Sequence, residues 1–434
     1  MMREVLEEAI VEFWELGLPE VKERELVLPT NLATALSVFG LRRVGKTHLL
    51  YATMKGLMDS GLPLRRLFYV NFEDERLVGM TAMDLSSIVE LYHKHNPRAR
   101  VIYLFLDEVQ AVDGWERFVR RLVERGNARV FLTGSSSKLL SKEIATSLRG
   151  RTLSFQLFPL SFREFLEFKS FKPTLPLTEA RRGRLFALLD EYLRYGGFPG
   201  IVDYSPLLKI KTLQEYLDLI VYKDLIERYG VEKSSAMKAL IRVITRNFAR
   251  KASVRKLHGF LSSIGVKISK PTVYEYFSYL EDIGFVIPVR KYHGNSVESL
   301  RSAPKLYLAD VGFAESLGVE DLGFRLENIV AVELLRRKHY FDPLIEVHYW
   351  EGREGEVDFV ISRGSKVSEL IQVSWSVDDP ETKRRELKAL LSASKTLGCE
   401  NLKVITWEYE ATETVDGKKI DFIPLWKWLL GAGL

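Results

Sequence analysis

Residues 40–47, with the sequence GLRRVGKT, have the glycine and lysine spacing of a loop that binds phosphate. They fit the pattern G-x-x-x-x-G-K-[ST] and stand between an apolar run at 35–39 and a helical pattern that continues from His48. In such a loop the backbone N–H groups and the helix N-terminus face phosphate oxygens, and the catalytic lysine reaches the β- and γ-phosphates. The sequence therefore predicts ATP binding by Gly40, Arg43, Val44, Gly45, Lys46, Thr47 and His48.

Two adjacent carboxylates, Asp107 and Glu108, follow the apolar run at 101–106. Such a run is typical of a buried parallel strand, and open α/β sheets bind ligands at the carboxyl ends of their strands. We expect Thr47 and Asp107 to hold Mg²⁺ and Glu108 to orient the water that attacks the γ-phosphate. Alone, the acid pair is also compatible with a helix cap after a core strand. Beside a phosphate loop it predicts Mg²⁺-dependent ATP hydrolysis.

A third apolar run, at 129–132, ends in several hydroxyl side chains. Among these we expect Ser135 to sense the γ-phosphate. Arg149 and Arg151 are candidates for an arginine finger, a cation that stabilises charge on the transferred phosphoryl group. Surface arginines without this role are the alternative. A finger that acts across a subunit boundary would make the active form a homo-oligomer.

The composition predicts a protein of several domains in a reducing compartment. A chain of 434 residues is too long for one hydrophobic core, and its single cysteine, Cys399, excludes an intramolecular disulfide and a cysteine-based zinc site. The amino terminus is acidic and amphipathic, unlike a signal peptide, and no apolar run approaches the roughly eighteen residues of a membrane span. We expect a cytoplasmic protein with no membrane partner.

Positive charge is concentrated in one segment of the chain. The whole sequence carries a formal net charge of +5, whereas residues 232–305 contain fourteen Lys or Arg against five Asp or Glu, a net charge of +9. The rest of the chain therefore sums to −4. A local excess of this kind favours a nucleic-acid partner, although a basic face also occurs as a plain solvated surface.

The same segment has the order of elements found in a winged helix. Helical patterns at 236–248 and 254–264 precede a third helix, which Ser269 caps, and two strand patterns at 285–291 and 305–308 are joined through Gly294 and Asn295. The third helix presents an outer face near the helix start that enters a major groove in helix-turn-helix proteins. On this face we expect contacts to double-stranded DNA from Lys270, Thr272 and Tyr274. Winged helices also serve as protein-interaction modules, and that alternative stays open.

The last part of the chain has the order of a PD-(D/E)xK nuclease core, with a helix at 326–336 and strands at 345–350, 355–361 and 369–375. In such a core Glu327, Asp358 and the side chain at 372 would hold a divalent metal, and a lysine at 374 would help to activate water. Here these two positions carry Gln372 and Ser374. Losing a carboxylate and the lysine removes charge that the metal and the nucleophile both need, so we predict a degenerate, non-cleaving domain. A lysine from elsewhere, such as Lys366, is the alternative.

Several ordered motifs together resemble one family, the archaeal and bacterial AAA-type ATPases that carry a C-terminal restriction-endonuclease-like domain. The motifs are GLRRVGKT at 40–47, LDEVQ at 106–110 followed by Trp115, LTGSS at 132–136, LRGR at 148–151, PLSFREF at 159–165, YGGFP at 195–199 and ADVG at 309–312. The resemblance implies an α/β fold with a P-loop parallel sheet at 1–159, a helical lid at 160–230, a winged helix at 231–305 and a nuclease-like domain at 306–434.

Three functional hypotheses follow. The first is an ATPase whose nucleotide state is coupled to double-stranded DNA held by the winged helix. The second is a slow nucleotide switch that recruits a protein partner, as signalling and defence ATPases do. The third is an ATP-gated endonuclease, which the residues at 372 and 374 make the weakest of the three.

Overall fold

The computed structural model describes residues 2–134, 150–294 and 296–431, with backbone only for residues 296 and 297. The chain divides into two compact units, Met1–Phe158 and Pro159–Leu434. None of the helices among the described residues is long and apolar enough to cross a membrane.

The amino-terminal unit contains a parallel five-stranded sheet in the order β2-β3-β4-β1-β5. Its strands are β1 Ala35–Phe39, β2 Leu67–Asn71, β3 Ile102–Asp107, β4 Ala128–Thr133 and β5 Thr152–Gln156. Its helices of five residues or more, among those described, are α1 Met2–Leu16, α2 Lys46–Asp59, α3 Ser86–His95 and α4 Trp115–Glu124.

The central strands of this sheet consist mostly of apolar residues because helices cover both faces of a parallel sheet. All five residues of β1 are buried, and Phe105 of β3 stacks on Phe131 of β4 with ring centroids 4.5 Å apart. The sequence predicts these three strands correctly, and it does not identify β5. The order of strands places the carboxyl ends of β1, β3 and β4 side by side at one edge of the sheet.

The second unit begins with helices and continues into a nine-stranded mixed sheet. The helices are α5 Phe162–Phe168, α6 Glu179–Tyr195, α7 Pro206–Leu219 with a π-helical continuation Ile220–Glu227, α8 Ser234–Arg246, α9 Val254–Ser263, α10 Lys270–Asp282, α11 Ser296–Arg301, α12 Gly312–Ser316, α13 Leu322–Tyr340, α14 Pro380–Leu397 and α15 Leu425–Leu430. The strands are β6 Arg250–Lys251, β7 Val286–Lys291, β8 Lys305–Leu308, β9 Ile345–Gly352, β10 Gly355–Arg363, β11 Lys366–Ser374, β12 Leu402–Thr406, β13 Ala411–Val415 and β14 Lys418–Pro424.

Helices α8, α9 and α10 lie where the sequence predicts three helices. The side chain of Ser269 accepts a hydrogen bond from the backbone N–H of Thr272 and so caps α10. The buried residues of α10 are Val273, Tyr276, Phe277 and Leu280. The connection between β7 and β8 differs from the expected turn through Gly294 and Asn295, because it contains the short helix α11.

Strands β7 and β8 do not stand apart from the C-terminal strands. They pair antiparallel with each other, and Arg290 of β7 pairs in parallel register with His348 of β9. The sheet order β13-β14-β12-β11-β10-β9-β7-β8-β6 therefore runs without a break across the expected domain boundary at 305/306. A pairing between strands almost sixty residues apart leaves no local signal in the sequence.

Three of the motifs that carry the family resemblance meet within the second unit. Gly197 accepts a hydrogen bond from the backbone N–H of Leu160 at 2.7 Å and donates its own N–H to Asp310 Oδ2 at 2.8 Å. Asp310 Oδ1 accepts the N–H of Gly312, also at 2.8 Å. Burial raises the pKa of Asp310 from 3.8 to about 7. These motifs thus form a packed joint between segments that are distant in the sequence.

Candidate functional site

The loop between β1 and α2 has a backbone that requires glycine at two positions. Gly40 approaches the backbone of Leu157 so closely that a Cβ would lie 2.3 Å from its carbonyl oxygen. Gly45 caps α2 with φ 98°, a left-handed value, and Arg43 within the loop has φ 67°. Such a curled backbone turns successive N–H groups toward one point at the helix start, which is an anion-binding arrangement.

Lys46, the first residue of α2, folds back across the loop. Its side chain is 6% exposed, and Nζ donates to the carbonyl oxygens of Gly40 and Leu41, each at 3.2 Å. The same ammonium lies 4.0 Å from Glu108 Oε1. The structure therefore brings together the lysine and the glutamate that the sequence predicts to act on one phosphate.

Asp107 ends β3 and is surrounded by hydroxyl groups. Its Oδ2 accepts hydrogen bonds from Thr47 at 2.8 Å and Tyr69 at 2.9 Å, and its Oδ1 accepts one from Thr133. Burial raises the pKa of Asp107, and the three hydroxyl donors oppose that shift. A carboxylate beside a threonine hydroxyl is a pair of hard oxygen ligands of the kind that Mg²⁺ prefers.

Glu108 is held in an unusual backbone conformation with φ 52°, which is uncommon for a residue other than glycine. Its N–H donates to Thr133 Oγ1 at 3.0 Å. Its carboxylate oxygen Oε2 accepts a hydrogen bond of 2.5 Å from the side-chain amide of Gln110. The backbone and the carboxylate are therefore both oriented by neighbours, which is how a site holds a reactive group in one position.

Arg24 is a further residue of this site that the sequence analysis does not identify. Its guanidinium is buried and donates to the carbonyl oxygens of Val44, within the loop, at 2.9 Å and of Phe158 at 2.8 Å. Arg24 thus joins the phosphate loop to the segment that follows β5. Arg24 and Tyr69 belong to no motif, and only their tertiary contacts identify them. Gln110 is the last residue of the LDEVQ motif, but its bond to Glu108 is visible only in the structure.

Of the remaining residues predicted for the nucleotide site, the structure describes His48 but not Ser135 or Arg149. His48 is in the first turn of α2, with its ring against Tyr51 at a centroid distance of 5.8 Å. Ser135 and Arg149 lie outside the described residues.

Arg151 does not reach the loop of its own chain. Its carbonyl accepts the N–H of Ala35 at the start of β1, about 13 Å along the strand from the loop at about 3.3 Å per residue. Its guanidinium pairs with Glu124 Oε1 at 3.3 Å. A role for Arg151 as a finger therefore requires the loop of another subunit.

The predicted metal ligands of the C-terminal part converge, but on a lysine. Lys305 Nζ lies 2.8 Å from Glu327 Oε1, 2.8 Å from Asp358 Oδ1 and 2.6 Å from Glu356 Oε1. Burial lowers the pKa of Lys305, but the surrounding negative charges, led by Asp358, outweigh burial and raise it well above its ordinary value. A cavity of about 500 Å³ opens over this cluster, and Gln372 is part of its lining.

The other two residues considered for a nuclease site, Ser374 and Lys366, have different surroundings. Ser374 donates its hydroxyl to the carbonyl of Ser376 at 2.8 Å. Lys366 begins β11 at the end opposite Gln372, about 20 Å along the strand, and is exposed. The lysine in the cluster, Lys305, therefore lies at neither of the two positions, 366 and 374, where the sequence analysis considers a lysine.

The candidate DNA-binding helix α10 exposes two of its three predicted contact residues. Lys270 and Tyr274 are exposed, the latter at 57%, while the hydroxyl of Thr272 lies 2.7 Å from that of Ser269, its helix cap. Three further, partly exposed cations of the segment 232–305 lie within 4.0 Å of acids from outside it. They are Lys238 with Asp218, Lys251 with Glu351 and Glu356, and Lys291 with Glu351. The buried Lys305 is a fourth cation of the segment that is paired with acids from outside it.

The other exposed cations of this segment include Arg255 and Lys256 of α9, Lys267 of the connection between α9 and α10, and Lys270 at the start of α10. Helix α9 packs against α10, so these cations belong to one pair of helices. The charged surface available to a polyanion is consequently smaller than the net charge of the segment indicates.

Comparison with known proteins identifies three family models along the chain. An AAA domain matches residues 33–166, and two domains of unknown function, DUF8612 and DUF4143, match residues 187–325 and 322–428. The uncharacterized protein MJ1544 of Methanocaldococcus jannaschii is 37% identical over 403 residues, which cover 91% of this chain and 87% of that protein. An uncharacterized protein of Haemophilus influenzae is 30% identical over 395 residues, covering 90% and 93%. Among solved structures, the Walker-type ATPase PABY2304 of Pyrococcus abyssi is 15% identical, with 73% and 95% of the two chains covered and a TM-score of 0.44.

Proposed function

The chain belongs to the family of AAA-domain proteins that includes MJ1544, and from this premise we propose that it is a Mg²⁺-dependent ATPase whose nucleotide state is coupled to double-stranded DNA. One observation carries the ATPase part. Lys46, Thr47, Asp107 and Glu108 meet at the carboxyl edge of one parallel sheet, beside a loop whose glycines are sterically required.

Each of these side chains has a distinct task in phosphoryl transfer. The N–H groups of the loop and the ammonium of Lys46 bind the β- and γ-phosphates. Thr47 and Asp107 are the residues that would hold Mg²⁺, which when bound neutralises charge on the phosphate oxygens. Glu108, aimed by Gln110 and by the bond from its N–H to Thr133, orients the attacking water.

The DNA part of the proposal rests on the helices of the second unit. Helices α8, α9 and α10 with strands β7 and β8 have the element order of a winged helix, and α9 and α10 carry the exposed cations Arg255, Lys256, Lys267 and Lys270 at or near their ends. Helix α13 and strands β9 to β11 support a nuclease-like fold for the C-terminal part in the same way.

The test is steady-state ATP hydrolysis with Mg²⁺, with and without duplex DNA, over a range of salt concentrations. We expect hydrolysis that Lys46→Ala abolishes and that duplex DNA stimulates. Each phosphate contact contributes about −0.9 to the slope of log K against log salt. Contacts from Arg255, Lys256, Lys267 and Lys270 alone therefore predict a slope of about −4, and the whole net charge of the segment would give about −8.

Variants of the exposed cations separate DNA coupling from general damage. Lys270→Ala should reduce the slope by about one, whereas Lys223→Ala, a matched change at an exposed lysine paired with Glu227, should leave it unchanged. Hydrolysis that depends on Lys46 but ignores DNA at low salt would exclude the coupling.

A nucleotide switch with a protein partner is the second candidate. It is favoured by the ion pairs that Lys238, Lys251 and Lys291 form with acids outside the basic segment, because these pairs leave less free charge for DNA. Its signature is tight nucleotide binding, slow turnover and no response to DNA.

A further inference from the structure

Three carboxylates of the second unit surround a single ammonium group. Glu327 comes from α13, Glu356 and Asp358 come from β10, and Lys305 is the first residue of β8. An ammonium has three N–H donors, and here the three carboxylates each lie within 2.8 Å of Nζ. The side chain of Lys305 is 5% exposed, so this cation belongs to the interior of the unit.

Further donors engage the same carboxylates. Tyr307 donates its hydroxyl to Glu327 Oε1 at 2.7 Å, and the N–H of Val373 donates to Asp358 Oδ2 at 2.9 Å. Lys251 Nζ lies 2.8 Å from Glu356 Oε2. Each of the three carboxylates therefore has a second hydrogen-bond donor in addition to Lys305.

A divalent metal does not fit this cluster as it stands. A metal ion needs oxygen lone pairs directed at one point at about 2.0–2.6 Å, and the ammonium of Lys305 already fills the point on which these oxygens converge. A second cation beside a buried lysine would also meet strong like-charge repulsion. Among the residues that the structure describes, no group of three or more His, Cys, Asp or Glu side chains is arranged to hold a metal ion.

We propose that Lys305 is an internal cation that takes the place of the divalent metal in this nuclease-like site, so that the site binds no metal and does not cleave nucleic acid. Lys305 instead joins β8 to α13 and β10 through ion pairs, in addition to the strand pairing that links β7 and β8 to the C-terminal strands. The cluster is thus a structural ion network built from the residues that would otherwise be metal ligands.

Lys305 and Glu356 also bear on the expectation drawn from positions 372 and 374. Those positions indicate a site that has lost a carboxylate and a cation. In the structure Glu356 adds a carboxylate and Lys305 adds the cation, while Gln372 Oε1 accepts the N–H of Asp358 at 3.3 Å and its amide donates to Glu386. The carboxylate and the lysine that are missing at 372 and 374 are thus present as Glu356 and Lys305, but Lys305 lies at the point where a metal ion would bind.

Mn²⁺ titration of the full chain without nucleotide, followed by electron paramagnetic resonance, tests this inference. We expect wild type and Asp358→Asn to bind the same number of Mn²⁺ ions. Lys305→Met leaves the carboxylates facing one point without their cation, and it should therefore gain one bound Mn²⁺, which the double variant Lys305→Met/Asp358→Asn loses. Lys251→Met removes a cation from the rim of the same cavity and should keep the wild-type number.

Two results would overturn the proposal. One is a Mn²⁺ ion in the wild-type protein that disappears in Asp358→Asn, or plasmid cleavage by wild type that depends on Asp358. The other is a folded Lys305→Met protein that gains no Mn²⁺. If Lys305→Met does not fold, the comparison of wild type with Asp358→Asn remains decisive. Because the loop at 40–47 is unaltered in every variant, a failure of the ATPase proposal would not change these differences.

Discussion

The hydrogen bonds around Glu108 determine where its carboxylate is directed. Gln110 donates one amide hydrogen bond to Glu108 Oε2, and its own Oε1 is buried with no hydrogen-bond partner among the described residues. A buried amide whose one observed bond is to the proposed water-orienting carboxylate is suited to position it. We therefore expect Gln110 to act as a positioning residue for Glu108 rather than as a group that contacts the phosphate.

Gln110→Ala should lower kcat for ATP hydrolysis about tenfold and leave KM within about twofold, because a freely rotating Glu108 spends less time aligned with the water. The measurement is steady-state hydrolysis over a range of ATP concentrations. Gln214→Ala is the matched control, since Gln214 also donates a single side-chain bond, to Ser316 O, but in the second unit. An unchanged kcat, or a rise in KM alone, would show that Gln110 does not act through Glu108.

The residues of the nucleotide site divide into those that the sequence predicts and those that it does not. Lys46, Thr47, Asp107 and Glu108 follow from local patterns, because a strand that leads directly into a loop fixes their position. Arg24 does not, and Gln110 enters only as the last residue of the LDEVQ motif without an assigned role, because what these side chains do depends on which atoms approach them after folding. Lys305 escapes the sequence analysis for the same reason, as its three partners come from two other elements.

At the scale of elements, helix α6 offers a direct test of the joint around Asp310. Gly196 ends this helix with φ 74°, and a Cβ there would lie 1.7 Å from Asp310 Oδ1. Gly196→Ala should therefore lower the free energy of unfolding by more than about 2 kcal/mol, from backbone strain and the steric clash together. The measurement is urea unfolding followed by circular dichroism.

The same helix contains the control for this prediction. Gly183 lies within α6, and a Cβ there meets no atom within 4 Å. Gly183→Ala should raise the free energy of unfolding by about 0.5–1 kcal/mol through helix propensity. A Gly196→Ala protein as stable as wild type would show that the joint adjusts at little cost.

The buried carboxyl at the same joint predicts a pH dependence of stability. Because burial raises the pKa of Asp310 from 3.8 to about 7, the folded protein retains a proton in this interval that the unfolded chain releases. Its contribution to stability is therefore largest below pH 3.8 and is lost as the pH rises toward about 7. Relative to Asp310→Asn, which cannot ionise, wild type should lose stability between pH 4 and 7 and change little above that range, by urea unfolding at a series of pH values.

An exposed acid of the same unit provides the comparison. Asp416→Asn should leave the pH profile of wild type unchanged, because Asp416 is exposed. If the stability of wild type relative to Asp310→Asn does not fall between pH 4 and 7, Asp310 is ionised in the folded protein throughout that range, and the prediction is wrong.

Most individual elements follow from sequence periodicity and caps, whereas their assembly does not. The helix α10 is predicted because Ser269 and Pro271 mark its start and apolar residues recur at helical spacing. Strand β5 is missed because its side chains are exposed or half-buried, so it lacks the apolar run of a central strand. The continuous sheet across 305/306 is missed because β7 and β9 pair through a parallel register that only the folded chain defines.

At the scale of the whole molecule, the position of Arg151 bears on assembly. Arg151 lies at the end of the sheet opposite the phosphate loop and is 37% exposed, so it is accessible to a second copy of the chain. If it is an arginine finger, it acts across a subunit boundary. ATP should then increase the molecular mass in solution, and turnover per chain should rise with protein concentration.

A mixing experiment tests this assembly without depending on its size. Lys46→Ala has an intact Arg151 but a defective loop, and Arg151→Ala has the reverse. Because an arginine finger is worth about 10³-fold or more in turnover, each variant alone should be nearly inactive, and a mixture of the two should regain hydrolysis well above their sum. Arg125→Ala, a change at an exposed arginine of the same unit, should hydrolyse ATP as wild type does. No recovery in the mixture, together with a mass that ATP does not change, would leave Arg151 as the surface partner of Glu124 alone.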